Sequence, residues 1–505
     1  MLGRNVLVGL FSSIWSAALG FAVIPFYLKY LGVEAYGLIG FFATAQAMFQ
    51  LLDMGLASTL NREVARRTST HSIGDMGPLL HTLSVVYWCL AFAIALASVA
   101  AAPLVAKHWL RANGFSTATL QHIVMLLGLV IACRWPVGLY QGALIGAQRI
   151  SLSSGANIVM GTLSSVGSLV ILAFVSPTIE AFFIWQAVVG LAYAALVRHL
   201  AWTVVGARRR LRFNMTELRR IWRFSAGMAA ITMLGLVFSQ LDKVILSRAL
   251  PLAEFGRYVL ASTVVSALYI AVGPMFNALF PRLSGLIAAG ETAQVEAVYR
   301  LCTRTLAAVL FPLAMTLILF SRDIVQLWTG DATLAAAIAP VIALLAAGSA
   351  LHGVMHVPHA LQLAYGRTTL PMLINSILMV VLVPLIIALS LMYGALGGAA
   401  AWLILHVLYV ALGSYLTHRS LPVGLPSTWL LQDLGIPMAV SVAAGVGFSS
   451  AATATGASHG ARLGLALAAA VVAAMATVAL SPAMRLAIFK RLAAHASARA
   501  APSSA

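Results

Sequence analysis

The chain has 505 residues, 61% of them hydrophobic and only 9% charged, where soluble domains carry about 25% charged residues. Its mean hydropathy is +0.97 and its formal charge +18. Apolar runs of about 20 residues recur along the whole length, so the apolar solvent is lipid and the spans are α-helices, which sets aside a soluble globule, a β-barrel and a nucleic-acid-binding protein.

The first stretch, MLGRNVLVGLFSSIWSAALGFAVIPF, begins like a signal peptide but stays apolar to Pro25 without a small-x-small cleavage site, and reads as a retained first span. Apolar windows predict fourteen spans, near 6–28, 36–58, 79–102, 119–141, 153–175, 181–204, 224–247, 255–280, 300–320, 334–361, 370–392, 396–416, 433–452 and 462–482. The longest outer loop, about 103–118, is too short to fold as a domain of its own. With both termini cytoplasmic, 21 of the 31 Lys and Arg residues fall on the inner side, 7 on the outer side and 3 inside spans, as the positive-inside rule requires. The densest cluster, GARRRLRFNMTELRRIWRF, contributes Arg208, Arg209, Arg210, Arg212, Arg219, Arg220 and Arg223, and reads as a cytoplasmic anchor against anionic lipid rather than an RNA site. Cys89, Cys133 and Cys302 all lie in apolar spans and offer neither a disulfide framework nor a zinc site.

An internal repeat organises the spans. Tyr36-Gly37 after span 1 meets Phe255-Gly256 after span 7 at an offset of 219, and Arg62 after span 2 meets Arg282 after span 8 at 220. Trp109 meets Trp328 at 219, and Arg149 meets Arg367 at 218. Four anchors at nearly constant offset divide the chain into a six-span half (1–205), a basic linker (206–223), a second six-span half (224–419) and a two-span extension with a basic tail (420–505). Six is even, so both halves enter the membrane in the same sense and form parallel repeats, an architecture of alternating-access transporters.

A polar side chain at bilayer depth is costly, and each one must face protein or water. Gln46, Gln50 and Asp53 on span 2 stand at i, i+4 and i+7, within one helical face. Arg134, Gly138 and Gln141 on span 4 have the same spacing, as do His352, His356 and His359 on span 10, and the offset of 218 maps one row onto the other. Span 7 carries Ser239, Gln240, Asp242, Lys243 and Ser247; neighbours about 100° apart on a helix do not easily pair, so Asp242 and Lys243 each call for a separate partner. Arg198 and His199 sit at the inner end of span 6, where Arg198 can snorkel to the interface. Asn157, Gly161, Ser164 and Ser168 on span 5 read as a close-packing stripe. The sequence contains no GxxxxGK[ST] and no HExxH, and neither a nucleotide, a metal nor another cofactor is expected.

The segments KYLGVEAYGLIGFF, LLDMGLASTLNREVAR, YQGALIGAQRI, SQLDKVILSRALPLAEFGRY and ALFPRLSGLIAAGE resemble Wzx-type polysaccharide transporters, the lipid-linked oligosaccharide flippases of the MOP superfamily, which share the fold of the MATE exporters. The resemblance covers spans 1 to 12 and implies an all-α, MATE-like protein of about fourteen helices in the bacterial inner membrane. It also implies a non-enzymatic activity, the ATP-independent flipping of a polyprenyl-pyrophosphate oligosaccharide for surface polysaccharide. Membrane lipids, a polysaccharide polymerase and a chain-length regulator are the implied partners. Two C-terminal spans also occur in lipid II flippases, and an ion-coupled MATE-like exporter of small organic molecules stays open as an alternative. The resemblance carries over Asp242 and Lys243 on span 7 and a cationic cavity holding Arg134 and Arg198. The expected substrate site is therefore Arg134, Gln141, Lys243, Gln46, Gln50 and Arg198, and the expected coupling groups are Asp242, Asp53, His352, His356 and His359. Imidazole titrates near neutral pH, so protonating the histidine row would add positive charge for capturing an anion.

Overall fold

The computed structural model describes residues 2–69, 76–206, 213–216, 219, 237–422, 424, 426–486 and 489. Most of the basic cluster at Arg208–Arg223 and the basic C-terminal tail lie outside the described residues. The described residues are helical apart from short connections and one isolated bridge between Arg111 and Pro251. Eleven of the described helices are long and apolar enough to cross a membrane. Two of these, Phe11–Asp53 and Thr369–Ser420, each hold two predicted spans, joined at Gly32 and Gly394, which adopt positive φ. The seventh predicted span is described from residue 237 onward, where it is helical, and each of the other predicted spans has a helix at its place.

The chain forms two compact units, Met1–Gly256 and Arg257–Ala505. The first contains α1 (Leu2–Phe49), a 3-10 turn (Gln50–Asp53), α2 (Leu56–Ser69), α3 (Gly77–His108), α4 (Thr117–Arg134), α5 (Val137–Gly146), α6 (Ile150–Val170), α7 (Ile179–Val205) and α8 (237–249). Helix α9 (Leu252–Ser266) straddles the division. The repeat assigns residues 224–256 to the second half, yet their described part packs with the first unit. Trp109 Nε1 donates to Ser247 Oγ at 3.0 Å, Arg248 stacks 5.4 Å from the Trp109 ring, and Leu252 N–H donates to Arg111 O at 2.7 Å. The two repeat-equivalent glycines meet here. A Cβ added at Gly256 would lie 2.3 Å from Val33 O and 3.3 Å from Gly37 Cα, so backbone contact between the two copies of the motif requires glycine.

The second unit contains α10 (Val272–Ala288), α11 (Thr292–Thr329), α12 (Ala332–Val354), α13 (His356–Ala364) and α14 (Thr369–Ser420). A π-helical turn (Trp429–Gly435) then leads into α15 (Ile436–Ala454) and α16 (His459–Leu480). The last two helices dock on α11 at both of its ends. Arg300 Nε and Arg304 Nε reach Asp433 at 2.8 Å and 2.5 Å, and Trp429 Nε1 donates to Thr303 Oγ1 at 3.1 Å. Some twenty residues along α11, Asp323 accepts from His459 Nδ1 at 2.6 Å and Arg462 Nε at 3.0 Å. At 1.5 Å per residue these clamps stand about 30 Å apart, the thickness of a hydrocarbon core. Between them Phe320, Ala452 and Ala466 form a buried apolar cluster.

Helix breaks repeat in the two halves. Pro136 lacks the N–H that would bond Ala132 O, and α4 stops at Arg134 before α5 starts at Val137. Pro358 likewise lacks the N–H for Val354 O, and α12 passes into α13 through Met355. The 3-10 turn at Gln50–Asp53 has its counterpart at Ala267–Ile270. The breaks matter because each lies beside one of the polar rows.

Candidate functional site

Four helical segments of the first unit turn polar rows toward one cavity of about 530 Å³. Gln46, Gln50 and Asp53 come from the end of α1 and its 3-10 turn, and Arg134, Gly138 and Gln141 from the broken α4–α5 pair. Asn157, Gly161 and Ser164 come from α6, while Gly190 and Tyr193 come from α7. All three members of both predicted rows in this half therefore reach the same space. The α6 row corrects the expectation of a packing stripe: Asn157, Gly161 and Ser164 line the cavity, and Ser168, buried behind it, bonds to Gln186. The α7 residues were missed, although Gln186, Gly190 and Tyr193 repeat the i, i+4, i+7 spacing on span 6. Tyr87 and Trp135, also in the wall, are aromatic and gave no polar signal.

Arg134 is held by neutral groups. Its Nη2 donates to Gln186 Oε1 and, at 3.2 Å, to Ser164 Oγ, which itself donates to Gln186 Oε1 at 2.7 Å. The guanidinium also lies 5.9 Å from the centre of the Phe42 ring. Among the described residues no carboxylate comes within ion-pair distance of it. Asp53 accepts from Tyr87 Oη, and Gln141 Nε2 donates to Tyr193 Oη, which donates to Asn157 Oδ1 at 3.4 Å. The cavity thus offers one guanidinium with donors to spare, one carboxylate tied to a phenol, and amides and hydroxyls suited to sugar hydroxyls.

Gly190 makes the room for Arg134. A Cβ added there would sit 2.9 Å from Arg134 Cγ, whereas one added at Gly138 would meet nothing within 4 Å. Gly190→Ala is expected to displace the guanidinium and reduce transport about tenfold, since misplacement of a binding group by about 1 Å has effects of that order or more. Gly138→Ala should stay near wild type. Transport rates of the two purified variants at matched protein levels check this, and equal rates would remove Gly190 from its positioning role.

Not every expected residue joins the cavity. Arg198 is exposed on α7 and Lys243 lies on α8, and neither lines it. The expected cationic cavity is corrected accordingly: in this unit its charges are Arg134 and Asp53. The expectation that Asp242 and Lys243 stay apart is also corrected, because Lys243 Nζ lies 4.0 Å from the carboxylate of buried Asp242. Helical phase fixes the Cα directions, but a four-carbon stem can fold back across 100°. In the second unit the histidine row is packed among rings. Tyr269 Oη lies 2.7 Å from His352 Nδ1, His356 Nδ1 lies 3.1 Å from His352 O, and the Phe276 ring stacks 5.9 Å from His359. A fourth imidazole, buried His406 on α14, lies 4.7 Å from the His352 ring and 4.3 Å from Trp402. Among the described residues no group of three or more His, Cys, Asp and Glu is arranged to hold a metal ion.

The sequence profile of the polysaccharide biosynthesis protein family matches residues 29–338. The chain belongs to this family. No curated protein matches its sequence. Among solved structures, the lipid II flippase MurJ in an inward closed conformation is similar with a TM-score of 0.69 and 11% identity, covering 94% of this chain and 98% of MurJ. An inward-facing multidrug resistance MATE family transporter of the MOP superfamily is similar with a TM-score of 0.62 and 12% identity, covering 82% of this chain and 98% of that one. A MOP superfamily transporter from Pyrococcus furiosus gives a TM-score of 0.57 and 11% identity over 83% of this chain and 94% of its own. The fold is therefore that of the MOP transporters, and the chain is a multi-pass membrane protein of the polysaccharide biosynthesis family with a transporter architecture.

Proposed function

We propose that the chain flips a polyprenyl-pyrophosphate-linked oligosaccharide from the cytoplasmic to the outer leaflet of the bacterial inner membrane. The supporting observation is Arg134: a guanidinium at bilayer depth, lining a polar cavity, without a carboxylate partner among the described residues. Such a group is costly unless an anion completes it, and its planar fork fits a phosphate better than an ammonium would. Gln46, Gln50, Gln141, Asn157 and Tyr193 offer partners for the sugar, while the tail stays in lipid. Lys243, Arg198 and Asp242 act outside this cavity, as gate or interface groups. Two basic termini on the cytoplasmic side, and a polymerase and chain-length regulator taking the product, complete the reading.

A second reading, a lipid II flippase, draws on the MurJ likeness, which extends over the two-span extension where the MATE likeness covers 82% of the chain. Proteoliposomes loaded with fluorescent polyprenyl-pyrophosphate glycans of either kind separate the two. Movement of the surface-polysaccharide precursor, without movement of lipid II, is expected; the reverse would replace the proposal by the second reading. The same vesicles test coupling. Protonation of the cluster of His352, His356, His359 and His406, which faces Tyr269, Phe276, Trp402 and Tyr409, or of Asp242 or Asp53, is proposed to differ between inward and outward states. An imposed pH gradient should then change the rate, and wild-type response in His352→Ala, His356→Ala and Asp242→Asn would remove these groups from coupling.

A further inference from the structure

The seam where the C-terminal pair of helices meets α11 contains a second, smaller cavity of about 210 Å³. Its wall changes character from one side to the other. Arg304, Gln432, Thr477 and Ser481 are polar; Ile436, Pro437, Leu480 and Pro482 are apolar. Ile436 is 43% exposed and Leu480 60% exposed, and in a chain that spans the membrane such side chains meet acyl chains. The cavity therefore has a polar floor and a lipid-facing rim.

Two arginines at the floor share one ion-pair partner. Arg300 and Arg304 share the single carboxylate of Asp433, which is fully buried, while the two arginine side chains are 28% and 16% exposed. Gln432 Oε1 accepts from Arg300 Nη2 at 2.9 Å, which turns this amide toward the first arginine. Arg304 uses Nε for Asp433 and Nη1 for Ser481 Oγ at 3.3 Å, engaging two of the five N–H groups of a guanidinium. Arg485, one helical turn beyond Ser481 and exposed, adds to the same sign. Guanidinium donors left over at the end of a span, under an apolar rim, suit an anion that carries its own hydrocarbon.

We propose that this seam binds the phosphate of an anionic phospholipid headgroup. Arg304 supplies the phosphate contact, Ser481 the orienting hydroxyl, and Ile436 and Leu480 the surface for the first acyl carbons. Basic pockets between transmembrane helices take lipid headgroups by this chemistry. The site is separate from the cavity of the first unit and would tie the seating of the two-span extension to the charge of the surrounding leaflet.

Native mass spectrometry of the full chain in detergent, titrated with phosphatidylglycerol, phosphatidylcholine or inorganic phosphate, tests it. Wild type should retain one phosphatidylglycerol more tightly than any phosphatidylcholine. Ser481→Ala, which leaves the ion cluster intact, should weaken that lipid roughly fivefold, the effect of one hydrogen bond. Arg304→Gln combined with Asp433→Asn, which removes the guanidinium without stranding a carboxylate, should weaken it more than tenfold. Equal retention of the two lipids, unchanged phosphatidylglycerol binding in Ser481→Ala, or occupation by inorganic phosphate in place of the lipid would each overturn the proposal.

Discussion

Arg134→Ala is expected to lower flipping by two orders of magnitude or more while the protein still inserts and folds. The physical basis is the difference between what Arg134 contributes to the free protein and to the loaded one. In the free protein it donates to Gln186 and Ser164, and these two remain bonded to each other at 2.7 Å when the guanidinium is removed. No carboxylate is stranded by the substitution, so the cost to folding is small. With a pyrophosphate in the cavity, two charge-assisted hydrogen bonds of about 1.5 kcal/mol each are lost, a factor of roughly 100 or more in occupancy. Arg134→Lys keeps the charge but not the fork and should recover only part of the rate. Gln186→Ala, which loosens the clamp without touching the charge, should fall between the two. Leaflet assays of labelled substrate in proteoliposomes, with size-exclusion profiles as the folding control, give the ranking; an Arg134→Ala variant flipping at the wild-type rate would remove the anion site from the mechanism.

The span count and two of the rows that line this cavity are legible because they rest on periodicity, which survives any rearrangement of the helices. Gln46, Gln50 and Asp53 share a face in the sequence and share a wall in the structure. The α6 row has the same i, i+4, i+7 form, but small residues fit both a tight helix contact and a cavity wall, and only the neighbour opposite decides. Here the neighbour is Arg134, and Ser164 becomes its acceptor. The row of Gln186, Gly190 and Tyr193 was hidden by its centre: a glycine between two polar residues reads as an interruption, although Gly190 is where the Arg134 stem passes. The 3-10 turn at Gln50–Asp53 was nearly illegible for a different reason. Leu51, Leu52 and Met54 continue the apolar run without a proline, and Gly55, at φ 71°, is an isolated glycine in an apolar stretch that alone marks the break placing Met54 at φ 48°. Lys243 marks the limit of helical-wheel reasoning, since its long side chain reaches Asp242 across the angle that separates their Cα directions. The histidine row shows a further limit. Repeat equivalence places it opposite the Arg134 row in sequence, but the ring volumes of Tyr269, Phe276 and Trp402 determine that it is packed rather than left open.

Asp433→Ala should be the most destabilising single substitution in the second unit. Asp433 is fully buried and is shared by two arginines on α11, one of which it holds at 2.8 Å and the other at 2.5 Å. Removing it leaves two guanidinium groups, four residues apart on α11, without the carboxylate they share, and breaking a buried charge cluster by removing one partner costs about 3–5 kcal/mol. The loss should fall on the seating of the extension, because the same turn carries Trp429, whose ring stacks 6.2 Å from Tyr299 and whose N–H bonds Thr303. The clamp at the other end of α11 is the internal control. There Asp323 pairs with Arg462 and with His459, which is 53% exposed and is screened by water once the pair is broken. Asp323→Asn should therefore cost much less than Asp433→Ala. Replacing Arg300, Arg304 and Asp433 together by Gln, Gln and Asn should recover most of the stability that Asp433→Ala loses, since no charge is then left uncompensated. Thermal melting of the four proteins in the same detergent, together with protease accessibility of the connection between α14 and the extension, measures the order. If Asp433→Ala melts with wild type, the docking of the last two helices rests on their apolar contact with α11, the Asp323 clamp and Trp429, and the ion cluster serves the anion in the seam rather than the fold.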